Sequence, residues 1–263
     1  MPNPTVRFGV CAGPDKAALV KDAGWEYVEF NCQTGLQGLL PDDQWTGGEA
    51  LKACGLPTPA CNVMVPGDLK VCGPTADLGK LTEYMTRVLS RAPKVGCDTI
   101  VFGSGVARKV PDGFDREQAR QQILAFLRMI GPIAQQHGVT VVIEPLNQGE
   151  CNIINSVGEG MTYVREVNHP NVKQLLDTYH FWLESEPLQN LRDAGRAIRH
   201  VHLADKIGRT GPGMSGQSDY RAVFRILKDL NYQGNISVEA SKFDIATDGK
   251  SVLKYVKEQW AAA

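Results

Sequence analysis

Four aliphatic runs in the second half of the chain each lead to a side chain able to hold a cation. Val-Val-Ile runs into Glu144, Leu-Leu into Asp177, His200-Val into His202, and Ile-Ser-Val into Glu239. Three carboxylates brought together repel one another and lose hydration, so they stay ionised only beside a compensating positive charge. Oxygen donors with one imidazole suit a divalent ion such as Mn²⁺, with Mg²⁺ or Co²⁺ as alternatives; no cysteine is expected in the set to favour structural zinc. His200 and His202 alternate about Val201 and so share one side of a strand. His202, nearer the strand end, is the predicted ligand, and His200 is read as packed behind it. His137 and His169 fall at a helix end and in a loop and are read as surface residues.

The elements that must gather these residues follow from hydrophobic periodicity. Short runs rich in β-branched residues predict strands at Val6–Ala12, Tyr27–Cys32, Pro59–Val65, Thr99–Phe102, Val139–Ile143, Val172–Leu176, Arg199–Leu203 and Asn235–Val238. Between and after them, amphipathic stretches predict helices at Asp15–Ala23, Trp45–Cys54, Leu78–Arg91, Asp115–Gln136, Val157–Val167, Leu188–Ile198, Tyr220–Leu230 and Ser251–Trp260. Eight strand–helix units match the usual (β/α)8 barrel of about 250 residues, and their even spacing favours closure over an open doubly wound sheet. The expectation is an α/β chain folded as a single TIM barrel domain over residues 1–263. Active sites of such barrels lie at the C-terminal strand ends, where the four residues fall.

Composition limits the function classes. The 263 residues carry 28 Lys+Arg against 29 Asp+Glu, a net charge of −1, which argues against a general nucleic-acid binder. No apolar run is long enough to span a bilayer, and the opening MPNPTVRFGV lacks the pattern of a secretory leader. Seven cysteines with no C-x-x-C pair are read as small buried hydrophobes kept reduced, and the expected location is cytoplasmic. Gly211-Pro-Gly213-Met-Ser-Gly216 fits G-x-G-x-x-G by letter. It neither directly follows a strand nor leaves enough chain for a dinucleotide fold, so it is read as a flexible substrate loop. Segments Leu39–Trp45 and Pro66–Asp68 are candidate rim lids, with Trp45 either stacking on a ligand or packing on the barrel.

VVIEPLN (141–147), LLDTYH (175–180), HVHLAD (200–205), GRTGPGMSG (208–216) and SVEA (237–240) together resemble the xylose-isomerase-like barrel superfamily, in particular its ketose 3-epimerase and hydroxypyruvate isomerase branch. That resemblance implies that Glu144, Asp177, His202 and Glu239 bind the metal. It also implies that Glu144 and Glu239 act as acid and base on opposite faces of the substrate. Glu150, His180 and Arg209 become substrate contacts, with a small carbohydrate as ligand and a homodimer or tetramer as the assembly.

The implied reaction removes a proton beside a ketone, with a metal stabilising the cis-enediolate. Return of the proton to the opposite face gives an epimer, and return to the neighbouring carbon gives an aldose–ketose isomerisation. The same site in lyases or dehydratases of keto-sugars, inososes or 3-keto-glycosides, including C-glycoside deglycosidase-like enzymes, expels a leaving group instead. Gly103-Ser104-Gly105 and Cys72-Gly73-Pro74 depart from the epimerase pattern and keep that alternative open. The three-zinc DNA-repair endonuclease pattern shares Glu144, Asp177, His180 and Glu239. It also needs histidines where this chain reads Ala60-Cys-Asn-Val63 and Val101-Phe-Gly-Ser104.

Overall fold

Eight short strands pair in chain order, each parallel to the next, and the eighth closes on the first. In the computed structural model, which describes residues 6–263, they are β1 (Arg7–Cys11), β2 (Tyr27–Asn31), β3 (Ala60–Asn62), β4 (Thr99–Phe102), β5 (Thr140–Ile143), β6 (Val172–Asp177), β7 (Ile198–Leu203) and β8 (Asn235–Val238). Residues 1–5, half of the segment read for a leader, lie outside the described part. The predicted barrel is therefore observed. No helix among the described residues is long and apolar enough to cross a membrane.

The principal core fills the space between the strands and the surrounding helices, and a separate apolar cluster of Val101, Val142 and Leu175 comes from β4, β5 and β6. Polar groups from the strands on the other side of the barrel join in a buried network. Tyr27 donates to or accepts from Ser237 at 2.7 Å, and Glu29, His200, His202 and Ser237 are all nearly or fully buried. Gly9 makes this possible: a Cβ there would sit 2.3 Å from the Tyr27 ring.

Differences from the sequence reading have local causes. β3 stops at Asn62 rather than Val65 because Val63 turns to φ +53°. The predicted helix at 188–198 ends at Ala194, and β7 begins at Ile198 after a 3₁₀ turn. The last helix starts at Ile245, six residues before its predicted start, with Asp244 accepting from the Ala246 amide as its cap. Short helices at Cys32–Gly35, Gly105–Arg108 and Thr178–Leu183 were not predicted, being only one or two turns long.

Candidate active site

Glu144 follows β5 directly, Asp177 ends β6, His202 lies near the end of β7, and Glu239 follows β8. One donor atom from each lies within 4.8 Å of those from the other three. The His202 ring points Nδ1 into the group, 3.1 Å from Glu144, 3.6 Å from Glu239 and 3.9 Å from Asp177. Its Nε2 faces away, 2.8 Å from Glu29 Oε1, while the other Glu29 oxygen is 2.7 Å from His200 Nε2. His200 thus sits behind His202, as expected from the alternation. His137 and His169 flank the opposite strand ends, before β5 and β6, and are half-buried.

The group has the character of a cation site. Asp177 gives Oδ1 to the amides of Tyr179 and His180, capping the short helix Thr178–Leu183, while its buried Oδ2 has no hydrogen-bond partner. An unpaired buried carboxylate oxygen facing two further carboxylates suits a hard divalent ion. Burial pushes Asp177 up to about 6, and Glu144 and Glu239 add to the rise. Burial also raises Glu144, again with Glu239 adding. Glu239 goes the opposite way: burial is outweighed by His202 and Arg209, and the carboxyl falls to about 2. Burial disfavours the His202 cation, yet Glu29 and Glu239 hold its pKa well above the usual histidine range.

A cysteine stands beside the group. Cys11, at the end of β1, has its sulfur within 4.8 Å of donor atoms of His202 and Glu239, although it falls outside the four-residue group. All seven cysteines are free thiols.

The three predicted substrate contacts converge on the same hollow. His180 Nδ1 accepts from the Asn147 amide at 3.1 Å, which fixes it as the unprotonated nitrogen of a neutral ring. Nε2–H is then left as a buried donor without a partner, about midway between Asp177 (3.9 Å) and Glu150 (4.0 Å). Arg209 donates to Glu239 Oε2 at 2.5 Å, reaches Glu150 Oε1 at 3.4 Å, and stacks 4.9 Å over Tyr179. Asn62 donates to the other oxygen of Glu239 at 2.8 Å.

The model of the xylose isomerase-like TIM barrel family matches residues 17–258. This chain belongs to that family. A 3-dehydro-D-guloside 4-epimerase from Escherichia coli (strain K12) is 35% identical over 235 residues, 86% of each chain. A D-psicose 3-epimerase from Ruminiclostridium cellulolyticum is 30% identical over 172 residues, and an L-ribulose 3-epimerase from a Methylomonas species is 30% identical over 138. The matches to these two span about half of each relative's length, 57% and 47%. Among solved structures, a 3-keto-D-glucoside 4-epimerase from E. coli superposes with a TM-score of 0.79 over 97% of this chain and all of the other, at 23% identity. That likeness shows the shared fold.

Within this xylose isomerase-like barrel, three supporting residues escaped the sequence reading. Glu29 is one. Asp205 is another: fully buried, it accepts from the amides of Gly213 and Ser215, the Ser215 hydroxyl and the Tyr220 hydroxyl. These bonds curl the glycine-rich loop around Asp205 and hold Arg209 over the site. The following helix starts only at Tyr220, with Asp219 as its cap, so the glycines do not open a helix as a dinucleotide fingerprint requires. Buried Arg91 is the third. It donates to the carbonyls of Leu36, Gln37 and Leu40, tying down the loop taken as a lid, and lies 5.3 Å over Trp45. Trp45, whose Nε1 donates to Gly35 O, packs on the barrel.

Proposed function

We propose that this protein is a divalent-metal-dependent epimerase acting beside the ketone of a keto-sugar. Glu144, Asp177, His202 and Glu239 would hold the ion, with Mn²⁺ preferred for three carboxylates and one imidazole. The observation that carries this reading is the contrast between two glutamates in one site: Glu239 held low and Glu144 pushed high. Paired carboxyls pushed in opposite directions are the usual arrangement of an acid–base couple.

The ion, when bound, neutralises the carboxylates and polarises the substrate's ketone oxygen. Glu239, ionised beside Arg209, accepts the proton from the carbon next to the ketone. Glu144, on the other face, returns a proton and so inverts that carbon. Each such group contributes about 10²–10⁴-fold. His180 Nε2–H and the Arg209 guanidinium offer donors to substrate oxygens, and Glu150 accepts from a substrate hydroxyl. The match to a 3-dehydro-D-guloside 4-epimerase over 86% of each chain supports a 3-keto-glycoside as the substrate.

The test is incubation of Mn²⁺-loaded protein with ketoses and 3-keto-glycosides in D₂O, followed by NMR. Deuterium entering beside the ketone, with an epimer accumulating, is the expected result, and Glu144→Gln and Glu239→Gln should each lose it. An alkene or a freed aglycone would assign the site to a lyase. Absence of exchange with every sugar would end the reading.

A further inference from the structure

Nine large hydrophobic side chains are exposed among the described residues, and five stand on the segments that follow the C-terminal ends of β2, β3, β4 and β7. They are Leu39 after β2, Val63 after β3, Val106 after β4, and Ile207 and Met214 after β7. Leu39 and Val106 are 66% and 65% exposed. Solvent exposure of such side chains around the mouth of a charged hollow marks a surface that contacts something apolar.

Leu39 stands on the wall of a cleft of about 360 Å³ between the β2 and β3 loops, which Gln33, Leu40, Pro66 and Tyr84 also line. A short chain of contacts links the cleft to Glu239. The inner wall is Gln33, whose amide donates to Val63 O at 3.0 Å, and the residue before Val63 is Asn62, which holds Glu239. The walls are also stiff. Arg91 grips the Leu36, Gln37 and Leu40 carbonyls from below, and the Tyr84 hydroxyl donates to Met64 O at 2.8 Å. Val63, a β-branched residue, is held at φ +53°, a conformation that persists only where neighbours impose it.

We propose that this cleft is a subsite for the apolar aglycone of a glycoside substrate. The proposal rests on the keto-sugar reading above and narrows its substrate class. A ligand lying across this mouth meets carboxylates, Arg209 and His180 at one end and leucine, proline and tyrosine at the other. A sugar with an aryl or alkyl substituent has that polarity. A free ketose has nothing to place in the cleft, and the concavity suits a small ring better than a flat subunit contact.

The experiment compares the 3-keto forms of phenyl and methyl β-D-glucopyranoside in the D₂O exchange assay, together with binding of the two unoxidised glucosides by ligand-observed NMR. Burial of part of the phenyl ring should lower KM for the phenyl compound at least about tenfold relative to methyl. Leu39→Asn, at an exposed position that tolerates the change, should bring that ratio towards one. Equal values for phenyl and methyl in the parent protein would overturn the proposal. So would a Leu39→Asn variant that keeps the ratio but changes sedimentation, because the cleft would then be a contact between copies of the chain. Leu39-dependent binding of phenyl glucoside without exchange on any keto-sugar would uphold the subsite while defeating the epimerase reading. Failure of both glucosides and both keto-glycosides to bind would defeat the subsite.

Discussion

Glu29 Oε1 lies 2.8 Å from Nε2 of His202, and that contact turns the ring's other nitrogen towards Glu144, Asp177 and Glu239. The same carboxylate reaches His200 and Ser237, so it is fixed by two strands besides its own. A carboxylate behind a metal-binding histidine sets the ring's orientation and raises its basicity. Glu29→Gln removes the charge while preserving the shape. Mn²⁺ affinity, read by calorimetric titration, should fall about 10–100-fold. An unchanged affinity would show that packing alone orients His202.

Metal uptake should release protons. Glu29 and Glu239 raise the His202 pKa well above the usual histidine range, and Asp177 is protonated below about 6. A bound ion needs both groups without those protons. Asp177 is a carboxyl whose folded pKa is raised, so its proton opposes the metal at low pH and stops doing so as pH rises through about 6. More protons should leave per ion below about pH 6 than above it, giving an affinity that climbs more steeply with pH on the acid side. Titrations in buffers of different ionisation enthalpy count these protons, and a pH-independent affinity would contradict the arrangement.

The parts of this site legible in the sequence are those at the ends of buried runs. A polar residue closing an aliphatic stretch such as Val141–Ile143 stands out, and parallel strands place every such residue at one rim. Glu29 was not legible, because Tyr-Val-Glu-Phe alternates like any strand with one wet face. Only barrel closure turns that face inward, against β7. Asp205 was visible within HVHLAD, but its role depends on a loop returning from eight to ten residues further on. The start of the last helix was hidden by Gly249, which breaks the helical pattern and packs 2.9 Å from Ala23 when given a Cβ.

Asp205 supports Arg209 indirectly. Asp205→Ala would leave the Gly213 and Ser215 amides and the buried Tyr220 hydroxyl without their acceptor. Each unmade bond of this kind costs about 1–3 kcal/mol. The loop 206–218 should become sensitive to limited proteolysis at a concentration of protease that leaves the parent intact. KM for the keto-sugar should rise as Arg209 loses its fixed position, and Asp205→Asn, which keeps an acceptor, should recover part of the loss. An intact loop in the alanine variant would show that the glycine-rich segment holds its shape unaided.

Gly103 tests the placement of Glu144 without altering any charged group. It follows β4, and a Cβ built there would lie 1.7 Å from Glu144 Oε2, far inside contact distance. The Glu144 backbone cannot yield easily, because buried Arg108 bridges the carbonyls of Phe102 and Glu144 at 2.5 Å each. Gly103→Ala must therefore move the carboxylate itself. Since misplacing a reacting group by about 1 Å can cost about 10²-fold, deuterium exchange should fall by roughly that factor. Gly103 is not at a positive φ, so alanine adds no backbone strain, and thermal unfolding should shift little. A variant with full exchange would mean that Glu144 tolerates displacement and takes no direct part in moving the proton.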